Sequence, residues 1–261
     1  MSPLQRKSVG ERLRSAADAL TPDARERVER VARHLVSRWP RPRWGNLRRS
    51  TPIGDRRPSS SRTPVDAFYF EQFIDQHRDT LHGRVLQLGS RCWSAPWQDA
   101  VIESVTVVDL DPNSTEASII ADPSDPFVLQ ERQFDCEIVP ALSVLRSPRR
   151  ALENLWRALR PGGVLLVAAP GMGRVGAHTQ IDDDGRWRWS ASSFRELLTE
   201  TLPQAEVTLE TFGSVASVIA SVHGLTAEEV GSKALSWRDR RFPVIVCARV
   251  QQREGSVGGR S

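Results

Sequence analysis

Lysine is nearly absent. Lys7 and Lys233 stand alone among 36 basic residues, so arginine carries almost all the positive charge. A GC-rich genome accounts for that bias more simply than selection for phosphate binding. The net charge is only +4, and a nucleic-acid surface would need those arginines gathered on one face, so no nucleic-acid partner is expected. Cysteine is scarce too. Cys92, Cys136 and Cys247 lie far apart, are odd in number and lack metal-ligand spacing. That argues against a disulfide framework and a metal site. Cys136 and Cys247 fall in strand-like runs and read as small buried hydrophobes. No apolar run approaches the ~20 residues of a membrane span. The first residues, MSPLQRKSVGERL, contain no apolar h-region, so no secretory signal is expected and the setting reads as cytoplasmic.

What is present divides into four parts. Residues 1–39 read as a helical arm. Thr21 caps its second helix with Pro22 at the first position, and Val28, Val31, Ala32, Leu35 and Val36 make one face apolar. Residues 40–64 are rich in Arg, Pro and Ser, with seven arginines against the single acid Asp55. This stretch reads as a solvated linker or as a flap over an anion site, with Trp44 and Ile53 as its apolar anchors. Residues 65–250 show an α/β pattern, and residues 251–261 read as a disordered tail.

In the α/β part, a helix is expected over 65–81 and strands near 84–88, 104–111, 117–120 and 134–141. A short helix should lie between Trp93 and Ala100. A helix at 147–160 should end at the turn Pro161-Gly162-Gly163, before a strand at 163–170. A helix near 190–201, capped by Ser190, and one near 214–224 accompany two late strands, 205–211 and 242–250. Strands alternating with helices predict a doubly wound, Rossmann-like sheet, mostly parallel, with an antiparallel edge from the two late strands.

The chemistry should lie at the carboxyl ends of these strands. Val85-Leu86-Gln87-Leu88 runs into Gly89, as a first strand runs into a nucleotide-binding loop. A dinucleotide site expects G-x-G-x-x-G, but Ser90, Arg91, Cys92 and Trp93 follow here. The two missing glycines argue against a nicotinamide oxidoreductase, because a pyrophosphate needs close backbone approach. Asp109 ends the second strand twenty positions after Gly89, the distance at which an acid meets ribose hydroxyls. Asp122 follows the third strand and is placed to accept a hydrogen bond from an adenine amino group. Each acid alone also reads as a turn or cap residue. Gln87, Gly89, Ser90, Asp109, Leu110, Asp122 and Pro140 make up the expected cofactor-binding set.

The segment NLWRALRPGGVLLVAAPG, residues 154–171, resembles the helix, Pro-Gly-Gly turn and fifth strand of class I S-adenosylmethionine-dependent methyltransferases. FDCEIV and VTVVDLDP resemble that family's fourth and second strands. WGNLRR, TPVDAFYFEQFI, RWRWSASSFRELL and FGSVASVIASVHGLTAEEV extend the likeness to a bacterial subgroup associated with glycosyltransferases. The resemblance implies S-adenosylmethionine as cofactor. It implies methylation of a hydroxyl on a small molecule: a sugar, glycoconjugate or secondary metabolite. The family usually has an acid near the end of strand one, where this chain has Gln87. The subgroup's Asp-Tyr-Trp-Arg-Phe-Thr is replaced by Gly185-Arg186-Trp187-Arg188-Trp189-Ser190.

Methyl transfer to a hydroxyl needs an aligned acceptor and a base. His178, Asp182 and Asp183 lie in the loop after the fifth strand and are the candidate bases. A run such as Asp182-Asp183-Asp184 is more often a solvated turn than a catalytic cluster, and His223, a further candidate near a helix end, reads first as structural. Trp187 and Trp189 offer aromatic faces to a sugar ring, with Arg188 for its hydroxyls or phosphates. The competing reading is a non-catalytic domain that keeps the fold and binds a partner enzyme. A small-molecule acceptor, and a second copy or a partner enzyme, are the expected partners.

Overall fold

Seven strands form one sheet: β1 (Gly83–Leu88), β2 (Ile102–Asp109), β3 (Ile119–Ile120), β4 (Phe134–Val139), β5 (Leu159–Pro170), β6 (Ala205–Phe212) and β7 (Ile245–Gln252). Their order across the sheet is β3-β2-β1-β4-β5-β7-β6. The computed structural model describes Gly45 and residues 51–53, 63–89, 101–173 and 186–252. The chain divides into two units, Met1–Ser50 and Thr51–Ser261. The sheet belongs wholly to the second.

Strands β1 to β5 pair in parallel, while β7 runs antiparallel to both β5 and β6. The reversed edge foreseen from the two late strands is therefore present. The last strand in sequence creates it by entering between β5 and β6. The architecture is α/β and Rossmann-like.

Helices α1 (Val65–Gln76), α2 (Pro148–Ala158), α3 (Ala191–Thr201) and α4 (Val215–Val222) cover the sheet. On one face Leu86, Leu88, Val139, Leu165 and Val167 pack with Ala151, Leu152 and Leu155 of α2 and with Phe194 and Leu198 of α3. On the other face Val85, Cys136, Ile138, Leu166 and Cys247 pack with Tyr69, Phe70, Phe73 and Ile74 of α1 and with Ala220 of α4. Each fully buried Leu, Ile or Phe contributes about 1.5–3 kcal/mol. A sheet covered on both faces hides the period-two pattern, which is why these strands read as continuous apolar runs.

Several expected boundaries move. The first helix ends at Gln76 and gives way to a single 3-10 turn, Arg78–Thr80. The second strand begins at Ile102 and ends at Asp109, and the fourth ends at Val139. Pro161-Gly162-Gly163 is not a turn outside the strand. Helix α2 stops at Ala158, and β5 starts at Leu159 and runs through those residues. The β4–β5 register shifts between Phe134 and Cys136, and Gly162 holds φ 83, so an irregularity in the ladder absorbs them. Strand β7 begins at Ile245 and passes the expected end of the domain at 250. Two short helices that sequence did not foretell, α5 (Ala227–Val230) and α6 (Ser232–Leu235), follow α4. Ile53, expected as an anchor, is exposed. The arm at 1–39, most of 40–64, the helix between Trp93 and Ala100 and the tail from 253 lie outside the described residues.

Candidate functional site

The strand order reverses between β1 and β4. The chain leaves β1 toward β2 on one side and leaves β4 toward β5 on the other. Connections that depart in opposite directions leave a crevice above the carboxyl ends of the two strands.

Gly89 stands at the mouth of β1 with φ 86, and its N–H donates to Val108 O at 2.8 Å. A residue with a Cβ is strained in that conformation. A Cβ built there meets nothing within 4 Å among the described residues, so bare backbone faces open space. Gln87 is buried beneath it, and its Nε2 donates to Gly89 O at 2.9 Å. The carboxamide thus fixes the loop carbonyl, which an ionised carboxylate cannot do because it only accepts.

Asp109 closes β2 at the same end of the sheet. Its Oδ1 accepts the Asp111 N–H at 3.1 Å, and no hydrogen bond occupies Oδ2 among the described residues. Asp111 is a turn residue, accepting from Asn113 N at 2.8 Å and Nδ2 at 3.2 Å. Ala121 N–H donates to Asp109 O at 3.0 Å, which ties the exit of β3 to this point. Asp122, next in the chain, accepts from Ser124 N at 2.7 Å through Oδ1 and from Arg146 N at 3.0 Å through Oδ2. It therefore joins the exit of β3 to the approach of α2. Leu110 and Pro140 are half-buried after β2 and β4. The structure gathers Gln87, Gly89, Asp109, Leu110 and Pro140 at the carboxyl ends of β1, β2 and β4, with Asp122 beyond β3. Ser90 lies outside the described residues, as do His178, Asp182 and Asp183.

Trp187, Arg188 and Trp189 approach the exit of β5, where Trp189 N–H donates to Pro170 O at 3.1 Å. Trp189 packs on the α2–α3 core and against Phe194, with ring centroids 5.9 Å apart. Trp187 stacks on it at 6.2 Å and 24° and remains 43% exposed. One tryptophan anchors the segment, and the other offers a face. Arg188 Nη1 donates to Trp187 O at 2.9 Å. Burial pushes its guanidinium below the usual arginine range, and the nearby Asp66 of α1 opposes that shift.

Two features escaped the sequence reading. Met172, just past β5, is 45% exposed beside this segment, its N–H donating to Pro243 O at 2.7 Å. Glu137, in the middle of β4, is 0% exposed, and neither carboxyl oxygen has a hydrogen-bond partner among the described residues. Burial pushes its pKa well above the ordinary carboxyl range. His223 is buried at the carboxyl end of α4; its backbone N–H donates to Ile219 O at 2.9 Å, and its buried Nδ1 has no hydrogen-bond partner among the described residues. Among the described residues, no His/Cys/Asp/Glu group could hold a metal ion, and no helix is long and apolar enough to cross a membrane.

No protein-family model matches the chain, and no curated protein matches it in sequence. Similar folds occur among solved structures. A SAM-dependent methyltransferase from Archaeoglobus fulgidus is 10% identical, with a TM-score of 0.47 over 71% of this chain and 94% of that one. An S-adenosylmethionine-dependent methyltransferase from Mesorhizobium loti is 14% identical, with a TM-score of 0.47 over 72% of this chain and 98% of that one. A chain from the complex of the Haloferax volcanii Trm112 methyltransferase activator with a methyltransferase is 19% identical, with a TM-score of 0.45 over 74% and 99%.

Proposed function

We propose that the crevice binds S-adenosylmethionine and that the chain transfers its methyl group to a hydroxyl of a small molecule. A sugar, a glycoconjugate or a related secondary metabolite is the acceptor class, in keeping with the subgroup that the sequence resembles. One observation supports this reading above the others. The backbone of Gly89 and the Oδ2 of Asp109, both unobstructed among the described residues, share one end of the sheet, at the reversal of strand order. Asp109 is assigned to the ribose hydroxyls. Asp122 is assigned to the adenine amino group, through lone pairs left over from its two backbone bonds. S-adenosylmethionine has no pyrophosphate, so the lost glycines cost less than they would in a dinucleotide site.

The cofactor supplies a methyl carbon activated by a sulfonium. The chain's task is to hold the acceptor oxygen in line and to take its proton. Trp187, Arg188 and Trp189 are assigned to the acceptor. His178, Asp182 and Asp183 are the proposed proton acceptors.

A second reading, a non-catalytic domain docked on a partner enzyme, draws support from Gln87. Its neutral amide adds no negative charge to attract a sulfonium. Calorimetric titration with S-adenosylmethionine and S-adenosylhomocysteine separates the two. Micromolar binding is expected. Asp109→Ala should weaken it about tenfold or more, since a charged hydrogen bond is worth about 1.5–3 kcal/mol. A folded protein that binds neither compound would turn the assignment to the non-catalytic reading.

A further inference from the structure

Asp122 opens a four-residue turn after β3, closed by Asp125 N–H donating to Asp122 O at 2.9 Å. Side chains fasten this turn to the segment that leads from β4 into α2. The buried Ser124 hydroxyl donates to Ser147 O at 3.0 Å and accepts the Ser147 N–H at 3.1 Å. From within α2, Asn154 Nδ2 donates to Pro123 O at 2.8 Å and to Asp125 O at 3.2 Å. Arg157 Nη2 donates to Asn154 Oδ1 at 2.7 Å, which sets the amide with its nitrogen toward the turn. Arg146 pairs with Asp125, and its Nε lies 3.8 Å from Asp122 Oδ2. In the sheet, β2 and β1 stand between β3 and β4, so the link crosses the width of two strands.

The consequence falls on one carboxyl group. Asp122 Oδ1 accepts from Ser124 N at 2.7 Å, and Oδ2 accepts from Arg146 N at 3.0 Å. One donor belongs to the clamped turn and the other to the segment it is clamped to. The carboxyl group cannot rotate without breaking both bonds, so its remaining lone pairs point in fixed directions. A loop that only leads from β3 to β4 needs no such acceptor, because water satisfies an exposed backbone. A fixed acceptor distinguishes an amino group from a carbonyl oxygen. It gains a hydrogen bond from the first and meets only lone pairs on the second.

We propose that Ser124 and Asn154 are positioning residues for base recognition: by clamping the turn they hold Asp122 so that the crevice takes a 6-aminopurine and rejects a 6-oxopurine. The proposal rests on the assignment of Asp122 to the adenine amino group. Both residues act through Asp122 and not by touching the cofactor.

Calorimetric titration of the full chain with S-adenosylhomocysteine and S-inosylhomocysteine tests it, since the two compounds carry an amino and an oxo group at the same purine carbon. Wild type should prefer the amino compound about tenfold or more. Asp122→Ala should erase that preference. Ser124→Ala removes both hydroxyl bonds, and Asn154→Asp keeps the side-chain shape but cannot donate. Each should shrink the preference about threefold or more. A role confined to stability would weaken both compounds by the same factor and leave their ratio unchanged. The two variants act from different elements, so one still decides should the other fail to fold. The proposal is overturned if either folded variant keeps the wild-type ratio, or if wild type binds both compounds equally. Should S-adenosylhomocysteine itself not bind, the cofactor reading falls and this assignment with it. Tight binding with an unchanged ratio overturns the positioning role alone.

Discussion

At position 137 a carboxylic acid sits between Leu86 of β1 and Leu165 of β5, on the face covered by α2 and α3. No charged partner among the described residues offsets its burial, so the folded chain keeps the proton well above the ordinary carboxyl range. The unfolded chain ionises this group near pH 4.3 (about the ordinary glutamate value). From that pH up to the raised folded value, the native state holds one proton more than the unfolded state. Stability therefore falls as pH rises through that window. Glu137→Gln removes the slope, because an amide does not titrate. Glu137→Leu should add about 1–3 kcal/mol at pH 7 by removing a buried polar group without partners. Urea melts at pH 5 and pH 8 check both: wild type should lose more stability between them than Glu137→Gln. An equal loss in both proteins would show that Glu137 is ionised or solvated in the folded state. The sequence concealed this residue because FDCEIV reads as a plain strand. A lone acid in such a run looks like a solvent-facing position until both sheet faces are known to be covered.

Two helices open on the same serine device in different surroundings. Ser190 Oγ accepts the Ser193 N–H at 3.2 Å at the exposed start of α3. Ser214 Oγ accepts the Ser217 N–H at 3.3 Å at the start of α4, where both serines are buried. Ser190→Ala leaves an N–H that water can reach and should cost about 1 kcal/mol. Ser214→Ala strands a buried donor and should cost more, about 1–3 kcal/mol. Denaturant midpoints of the two variants check the order. Elements of this kind were largely legible from sequence. The Ser190 cap and the two late strands follow from local pattern. The start of β5 did not, because Pro and Gly argue against strand interiors, and a ladder irregularity accommodates them only in the fold. Helices α5 and α6, each of four residues, are too short to show a period. The positions of Gly89 and Asp109 at the carboxyl ends of β1 and β2 were legible from their spacing. The place of Met172 was not, because only the fold sets it beside Pro243.

Across the whole sheet, Cys136 in β4 and Cys247 in β7 lie fully buried on the α1 face. Burial, aided by neighbouring Glu137, pushes the Cys136 thiol up to about 12, and burial raises Cys247 well above its usual value. Thiol reagents attack the thiolate, so neither should react in the folded protein. In a Cys92→Ser background, labelling should proceed only at the rate of global opening, and added denaturant should accelerate it in step with unfolding. Fast labelling in buffer would mean that β4 or β7 opens locally. The placement of β7 also bears on how the protein is made. A nascent chain leaves the ribosome with β1 to β5 complete while β5 still shows a bare edge. Strand β6 emerges next and has no neighbour to pair with, because its partner β7 is translated after it. During that interval two unpaired edges are open to other chains, a template for aggregation. Slow synthesis of the region after β6 would prolong the exposure, and a chaperone that shields strand edges would act there first.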